Sequence, residues 1–168
     1  PFFHDMEKCW PFVLCELKNA DLFGGVLSVN TSSPQIALAC GDKILTDCLS
    51  HNGNTLRRSL GHMTREYESK QHVDKAFLLG GDHVFGHMVS CFIMRTIYLK
   101  LFPHLDDLPV ITMANMPQKY YELLQIFGCP RERLIMLSEA DELSCDHLHV
   151  PTIAGGVPPS EGDWSIPG

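Results

Sequence analysis

A chain of 168 residues is long enough for one domain with a sizeable core, or for one lobe of a larger enzyme. Apolar residues make up 45% and charged residues 20%, as in an ordinary globular protein; 13 basic against 20 acidic side chains give a formal net charge of -7. That balance argues against nucleic acid as a partner, which calls for a basic face, and suits a small or neutral ligand.

No stretch approaches the ~20 apolar residues that cross a bilayer; the longest, residues 88–101, is interrupted by Arg95 and Lys100. The chain starts at Pro1 with nothing resembling a signal sequence, so an excised or incomplete segment is expected. Seven cysteines contain no CxxC pair and are read as reduced, scattered thiols, which favours a cytoplasmic location over a secretory lumen. Of nine histidines only His147 and His149 stand close together, beside Cys145 and Asp146; without a second ligand pair they are read as incidental, and no metal is expected.

In chain order, residues 1–24 read as an irregular aromatic arm (Phe2, Phe3, Trp10, Phe12, Val13) covering a sheet. Residues 26–29 form a short strand, and residues 35–40 and 43–47 a hairpin whose Gly41-Asp42 loop suits a type II′ turn. Residues 49–74, polar and charged, read as a solvated loop or short exposed helix. Then comes the unit around which the chain is organised. Residues 76–79 (Ala-Phe-Leu-Leu) have the length of a buried strand, Gly80-Gly81 break it, and after Asp82-His83 a helix runs from about Gly86 to Leu101. That helix is apolar on most of its circumference, hence expected to be buried, and Pro103 ends it.

Residues 108–113 are a second apolar strand. Pro117 opens a helix with Tyr120, Leu123, Leu124 and Phe127 at helical spacing, closed by Gly128 and Pro130. Residues 134–137 and, beyond an acidic loop, residues 145–150 are two further strands. The order β-α-β-α-β-β predicts an α/β fold with a parallel sheet and helices packed on it. Residues 1–152 form the lobe, with the arm, hairpin and polar loop in 1–74 and the βαβαββ core in 75–152. Residues 153–168, rich in Gly, Pro and Ser, read as a linker.

Strand, glycine turn and helix is where α/β folds place their chemistry. His87 falls in the first turn of the central helix, where the dipole lowers an imidazole's pKa and leaves it able to accept a proton from a hydroxyl. Asp82 and His83, on the same joint, are placed to orient it or a ligand. Arg95 on an apolar helix requires a partner, either a structural carboxylate or an anionic group of a ligand. No dinucleotide fingerprint, P-loop or serine-hydrolase elbow is present. From spacing alone, the plainer reading of His87 and Arg95 is structural.

Residues 80–152 resemble the N-terminal half of the catalytic region of glycosyltransferase family 61. The likeness rests on Phe85-Gly86-His87 as the histidine block, Arg95 as its arginine, Leu108-Pro109-Val110 as the following strand, residues 122–133 as helix and charged turn, and Leu148-His149-Val150-Pro151-Thr152 as the closing strand. Val84 stands where the family carries Asn, and Cys91 where it carries an acidic residue. The resemblance implies a Rossmann-like N-terminal lobe of a two-lobed GT-B enzyme. Such an enzyme transfers a sugar with inversion from a nucleotide-sugar to a hydroxyl acceptor without an obligatory metal. It also implies that the acceptor sits mainly in this lobe and the nucleotide mainly in a missing C-terminal lobe, so this chain alone is expected to be inactive. His87 would then be the catalytic base or an acceptor contact; Asp82 and His83, from their place on the joint, and Arg95 are the candidate substrate contacts, with structural support of the crevice the plainer role for Arg95. Two rivals are a non-catalytic α/β module that binds a glycan or a protein partner, and an unrelated nucleotide-binding protein.

Overall fold

The computed structural model describes residues 14–27, 34–41, 43–44 and 66–151. These form a mixed α/β fold with few helices around one seven-stranded sheet, counting a strand of two residues. The strands are β1 (Leu14–Leu27), β2 (Pro34–Cys40), β3 (Lys43–Ile44), β4 (Ser69–Gly80), β5 (Val110–Met113), β6 (Leu134–Leu137) and β7 (Asp141–Pro151), in the spatial order β3-β2-β1-β7-β4-β5-β6.

The block β7-β4-β5-β6 is parallel, so the three apolar runs that follow the glycine turn do line up in one direction with β4. β1 and β2 extend the sheet antiparallel, and β2 and β3 form the expected hairpin, with Cys40 opposite Lys43 and Gly41 at φ +61°.

β4 enters β5 through a helical segment of changing pitch: α1 (Phe85–His87), a π turn (Met88–Phe92), a 3-10 turn (Ile93–Arg95) and α2 (Thr96–Leu101). The expected continuous helix is thus interrupted, and it is not buried all round. Met88, Phe92, Ile93, Tyr98 and Leu99 are buried, while Met94, Ile97 and Leu101 are exposed. α3 (Gln118–Ile126) connects β5 to β6 and ends at Gly128, whose φ of +90° is the left-handed geometry read from the sequence.

Three stretches differ from the sequence reading, the shortest being residues 141–144, read as the end of an acidic loop but forming the start of β7. Residues 14–24 are not an irregular arm but most of β1. Asn19 at φ +52° and a register shift between Phe23 and Val26 break the period-two alternation, which hides the strand. Residues 69–74 are not a solvated loop but the first half of β4. This half pairs with β7 on one edge, whereas β5 reaches only Phe77 to Gly80, so among the described residues its other edge carries no strand. Lys70, His72, Asp74 and Lys75 along it are exposed, the charged pattern that blunts an open edge. The second half is buried on both faces from Ala76 to Gly80, as a central parallel strand should be. Residues 1–13 of the arm, 28–29 of the first short strand, Asp42 and 45–47 of the hairpin, 49–65 of the polar loop and the linker 153–168 lie outside the described residues.

The sheet is strongly coiled. β6 ends beside the carboxyl end of β5, yet β7 begins after only residues 138–140, paired with the first residue of β4. On a flat sheet those points would lie roughly 40 Å apart along the strands. A link of this length reaches about 14 Å. Coiling resolves the conflict and brings β2 alongside β5 and β1 alongside β6. The turn is tied by Asp141, whose carboxylate accepts the Ser138 N–H at 2.6 Å. A Cβ at Gly24 of β1 would collide with the Ser138 carbonyl, so glycine is what lets β1 pass this close. One core results, running through Ala20, Leu22, Leu38, Phe77, Leu79, Met88, Ile111, Leu124 and Leu148. Phe23, Ala37, Ala39 and Tyr67 form a smaller cluster, with the Phe23 and Tyr67 rings 5.6 Å apart.

One seam of this sheet carries a cost. Burial, then the nearby Glu142 carboxylate, raises the Asp21 pKa above its ordinary range. A carboxyl raised in the folded state favours folding only while protonated, and the penalty grows as pH rises through its folded value. Asp21→Asn is therefore expected to raise the thermal midpoint near pH 7 and to leave it unchanged below about pH 3, where the carboxyl is protonated folded or unfolded. Paired melts of wild type and variant across this range measure it.

Candidate functional site at the carboxyl end of β4

β4 stops because Gly80 turns to φ +78°, a region open to glycine and costly for other residues. Its carbonyl accepts the Thr112 hydroxyl of β5 at 2.7 Å, which fixes the turn to the neighbouring strand. Below it lies Arg95, fully buried, donating from Nη1 to the Leu79 carbonyl at 2.8 Å with its guanidinium 5.0 Å from the centre of the Phe92 ring. The guanidinium therefore braces the end of the strand.

Asp82 follows and is also fully buried. Its Oδ1 accepts the Val84 N–H at 2.8 Å, an Asx turn that sets the chain on its helical course. Its Oδ2 lies 3.3 Å from Nδ1 of His87. Asp82 accepts from the imidazole, so the hydrogen-bond pattern assigns a proton to Nδ1 and the basic lone pair of the neutral ring to Nε2. The His87 side chain is one-third exposed, at 33%, against 0% for Asp82. A buried carboxylate orienting a partly exposed imidazole is the arrangement that prepares a histidine to accept a proton.

The facing loop between β5 and α3 completes the site. Asn115, at φ +61°, presents its carbonyl to Nε2 of His83 at 3.1 Å, and the Tyr120 hydroxyl donates to the His83 carbonyl at 2.8 Å. Tyr121 accepts the Met116 N–H and donates to the Met113 carbonyl, which stiffens the same loop. His83 is thus anchored to the loop, while His87 sits above Asp82.

Phe85, 55% exposed, leans towards Tyr120 with ring centres 6.1 Å apart, and Lys119 Nζ stands 5.6 Å and 5.5 Å from the two rings. The four residues singled out from the sequence therefore fall around one turn: Asp82 and His87 in direct contact, His83 across the turn, Arg95 beneath it. Phe85, Asn115, Lys119 and Tyr120 were not singled out as site residues. Phe85 carries a signal, an aromatic residue at the exposed start of a helix; the others meet it only through the pairing of β4 with β5.

Cys91, which stands where an acidic partner of His87 was expected, is buried. The carboxylate beside His87 comes instead from Asp82, five residues upstream. The described cysteines, Cys15, Cys40, Cys91, Cys129 and Cys145, are free thiols, and burial raises the pKa of Cys129 and Cys145. His147 and His149 lie on β7, where His147 holds Glu16 of β1 at 2.6 Å and burial lowers the pKa of His149. No helix among the described residues is long and apolar enough to cross a membrane. No family model, curated protein or solved structure matches this chain.

Proposed function

We propose that this chain is the acceptor-side, N-terminal lobe of a GT-B glycosyltransferase. The enzyme would transfer a sugar with inversion from a nucleotide-sugar to a hydroxyl. The observation that carries the reading is the Asp82–His87 pair at the carboxyl end of a central parallel strand, where α/β folds bind their ligands. The acceptor hydroxyl gives its proton to Nε2 of His87. Its oxygen forms a bond to the anomeric carbon while the bond from that carbon to the diphosphate breaks, and the nucleoside diphosphate leaves. Asp82 holds the ring and stabilises the imidazolium that forms. The step needs no obligatory metal, and the groups that steady the leaving diphosphate belong to a second lobe.

The test is release of nucleoside diphosphate by the full-length protein from a panel of nucleotide-sugars with hydroxyl acceptors. His87→Ala is expected to lower transfer by at least about 100-fold with circular dichroism unchanged, and Asp82→Asn to lower it by a smaller factor. Unchanged turnover in His87→Ala removes the histidine from the mechanism. Tight binding of UDP by this chain alone contradicts the division of labour between lobes.

The second reading, a non-catalytic module that binds a glycan, rests on Phe85. An exposed aromatic ring supported by Tyr120 and Lys119 suits stacking on a sugar face without any chemistry. Glycan binding lost in Phe85→Ala, with no turnover in the full-length protein, favours it.

A further inference from the structure

The outer face of the sheet holds a second cluster, about eight strand residues before Gly80 and so roughly 25 Å of chain from the glycine turn. His72 and Asp74 lie two residues apart on β4, and Asp146 lies on the adjoining stretch of β7. One ligating atom from each comes within 4.8 Å of the others. The His72 tautomer follows from its neighbours. The Ser144 hydroxyl donates to the Gln71 carbonyl at 3.3 Å, so its oxygen is the acceptor for His72 Nδ1 at 3.1 Å. Nδ1 therefore carries the proton, and the lone pair of the neutral ring is on Nε2.

Nε2 stands 3.6 Å from Asp74 Oδ1 and 3.6 Å from Asp146 Oδ2. That separation is too long for a hydrogen bond. It matches the spacing of two ligands on one metal: bonds of about 2.1 Å opened to about 115° put nitrogen and oxygen roughly 3.5 Å apart. Two carboxylate oxygens and an imidazole nitrogen turned towards one point call for a positive charge among them, which either a second ring proton on Nε2, making two ion pairs, or a metal ion supplies. Lys70, two residues back on the same face, is engaged with Glu142 at 3.0 Å. A histidine whose other nitrogen is held by a hydrogen bond is also the usual form of a metal-bound imidazole.

We propose that His72, Asp74 and Asp146 bind a first-row divalent transition cation, with Ser144 as the positioning residue and water in the remaining coordination places. One nitrogen with two carboxylates suits such an ion and leaves open positions facing solvent. The site is independent of the sugar-transfer reading.

Manganese(II) is the probe, because the thiolates elsewhere in the chain compete for it weakly. Titrated into the isotope-labelled chain, it is expected to broaden the NMR signals of residues 71–74 and 144–147 first and saturably. His72→Gln and Asp146→Asn are each expected to weaken binding at least tenfold. Ser144→Ala, which leaves every charge in place, is expected to weaken it roughly tenfold by freeing the imidazole. The unbroadened spectra establish that each variant is folded. Broadening that survives His72→Gln and Ser144→Ala but falls in Asp146→Asn overturns the proposal, since ions then merely gather near the carboxylates. Absence of saturable broadening in the wild type overturns it as well.

Discussion

Gly80→Ala is expected to lower the free energy of unfolding by about 3 kcal/mol, read as an earlier urea midpoint with an unchanged slope. Two terms add. A left-handed conformation costs an alanine roughly 1–2 kcal/mol. The new Cβ would also come within 2.7 Å of the Phe92 ring and 3.4 Å of Arg95 Nη1, so the core must shift by an amount that usually costs about 1–3 kcal/mol. The total is a large share of the 5–15 kcal/mol that holds a typical domain together. Gly86→Ala supplies the contrast. That glycine has no neighbour within 4 Å of an added Cβ and is helical, so the substitution is expected to stabilise by up to about 1 kcal/mol. A similar response at both positions would mean that the turn is not strained in the way described.

Arg133→Met is expected to have a comparable effect, about 3 kcal/mol. The guanidinium is half-buried and uses its whole fork on backbone: Nε donates to the Leu108 carbonyl, Nη1 to Gly128 and Nη2 to Leu105, each at 3.1 Å. Those carbonyls lie at the end of the first crossover, at the entry to β5 and just beyond α3, so one side chain ties both crossovers together. Methionine keeps most of the aliphatic volume and removes three donors, although the Leu105 carbonyl still accepts the Leu108 N–H, and each charge-assisted bond is worth about 1.5–3 kcal/mol before solvent compensation. Arg133→Lys is expected to recover less than half of the loss, because an ammonium on a flexible stem cannot meet three carbonyls at once. Urea unfolding of the two variants side by side measures the difference.

The unit from β4 to α2 was legible in the sequence because its signals are local. An apolar run, two glycines and a change of period mark strand, turn and helix, and they placed Asp82, His83 and His87 together without any knowledge of the sheet. β5, α3 and β6 were legible for the same reason. β1 was not, because Asn19 and the shift at Phe23 to Val26 erase the alternation by which a strand is recognised. The first half of β4 was hidden by its charges, which mark an edge and read as a solvated loop. Contacts that depend on two strands meeting were out of reach. Asn115 and Tyr120 join His83 only once β5 lies beside β4, and Asp146 faces His72 only once β7 does.

β7 is the last described strand of the chain yet holds the central, fourth position in the sheet, between β1 and β4. Leu14 is paired with Pro151 and Ser69 with Asp141, so β1 has no partner on that side until β7, more than a hundred residues later, has been made. Partners so far apart in the chain make for slow assembly and long exposure of unpaired edges. A polypeptide cut before Asp141 would hold two half-sheets with open flanks, a form suited to capture by chaperones or to aggregation.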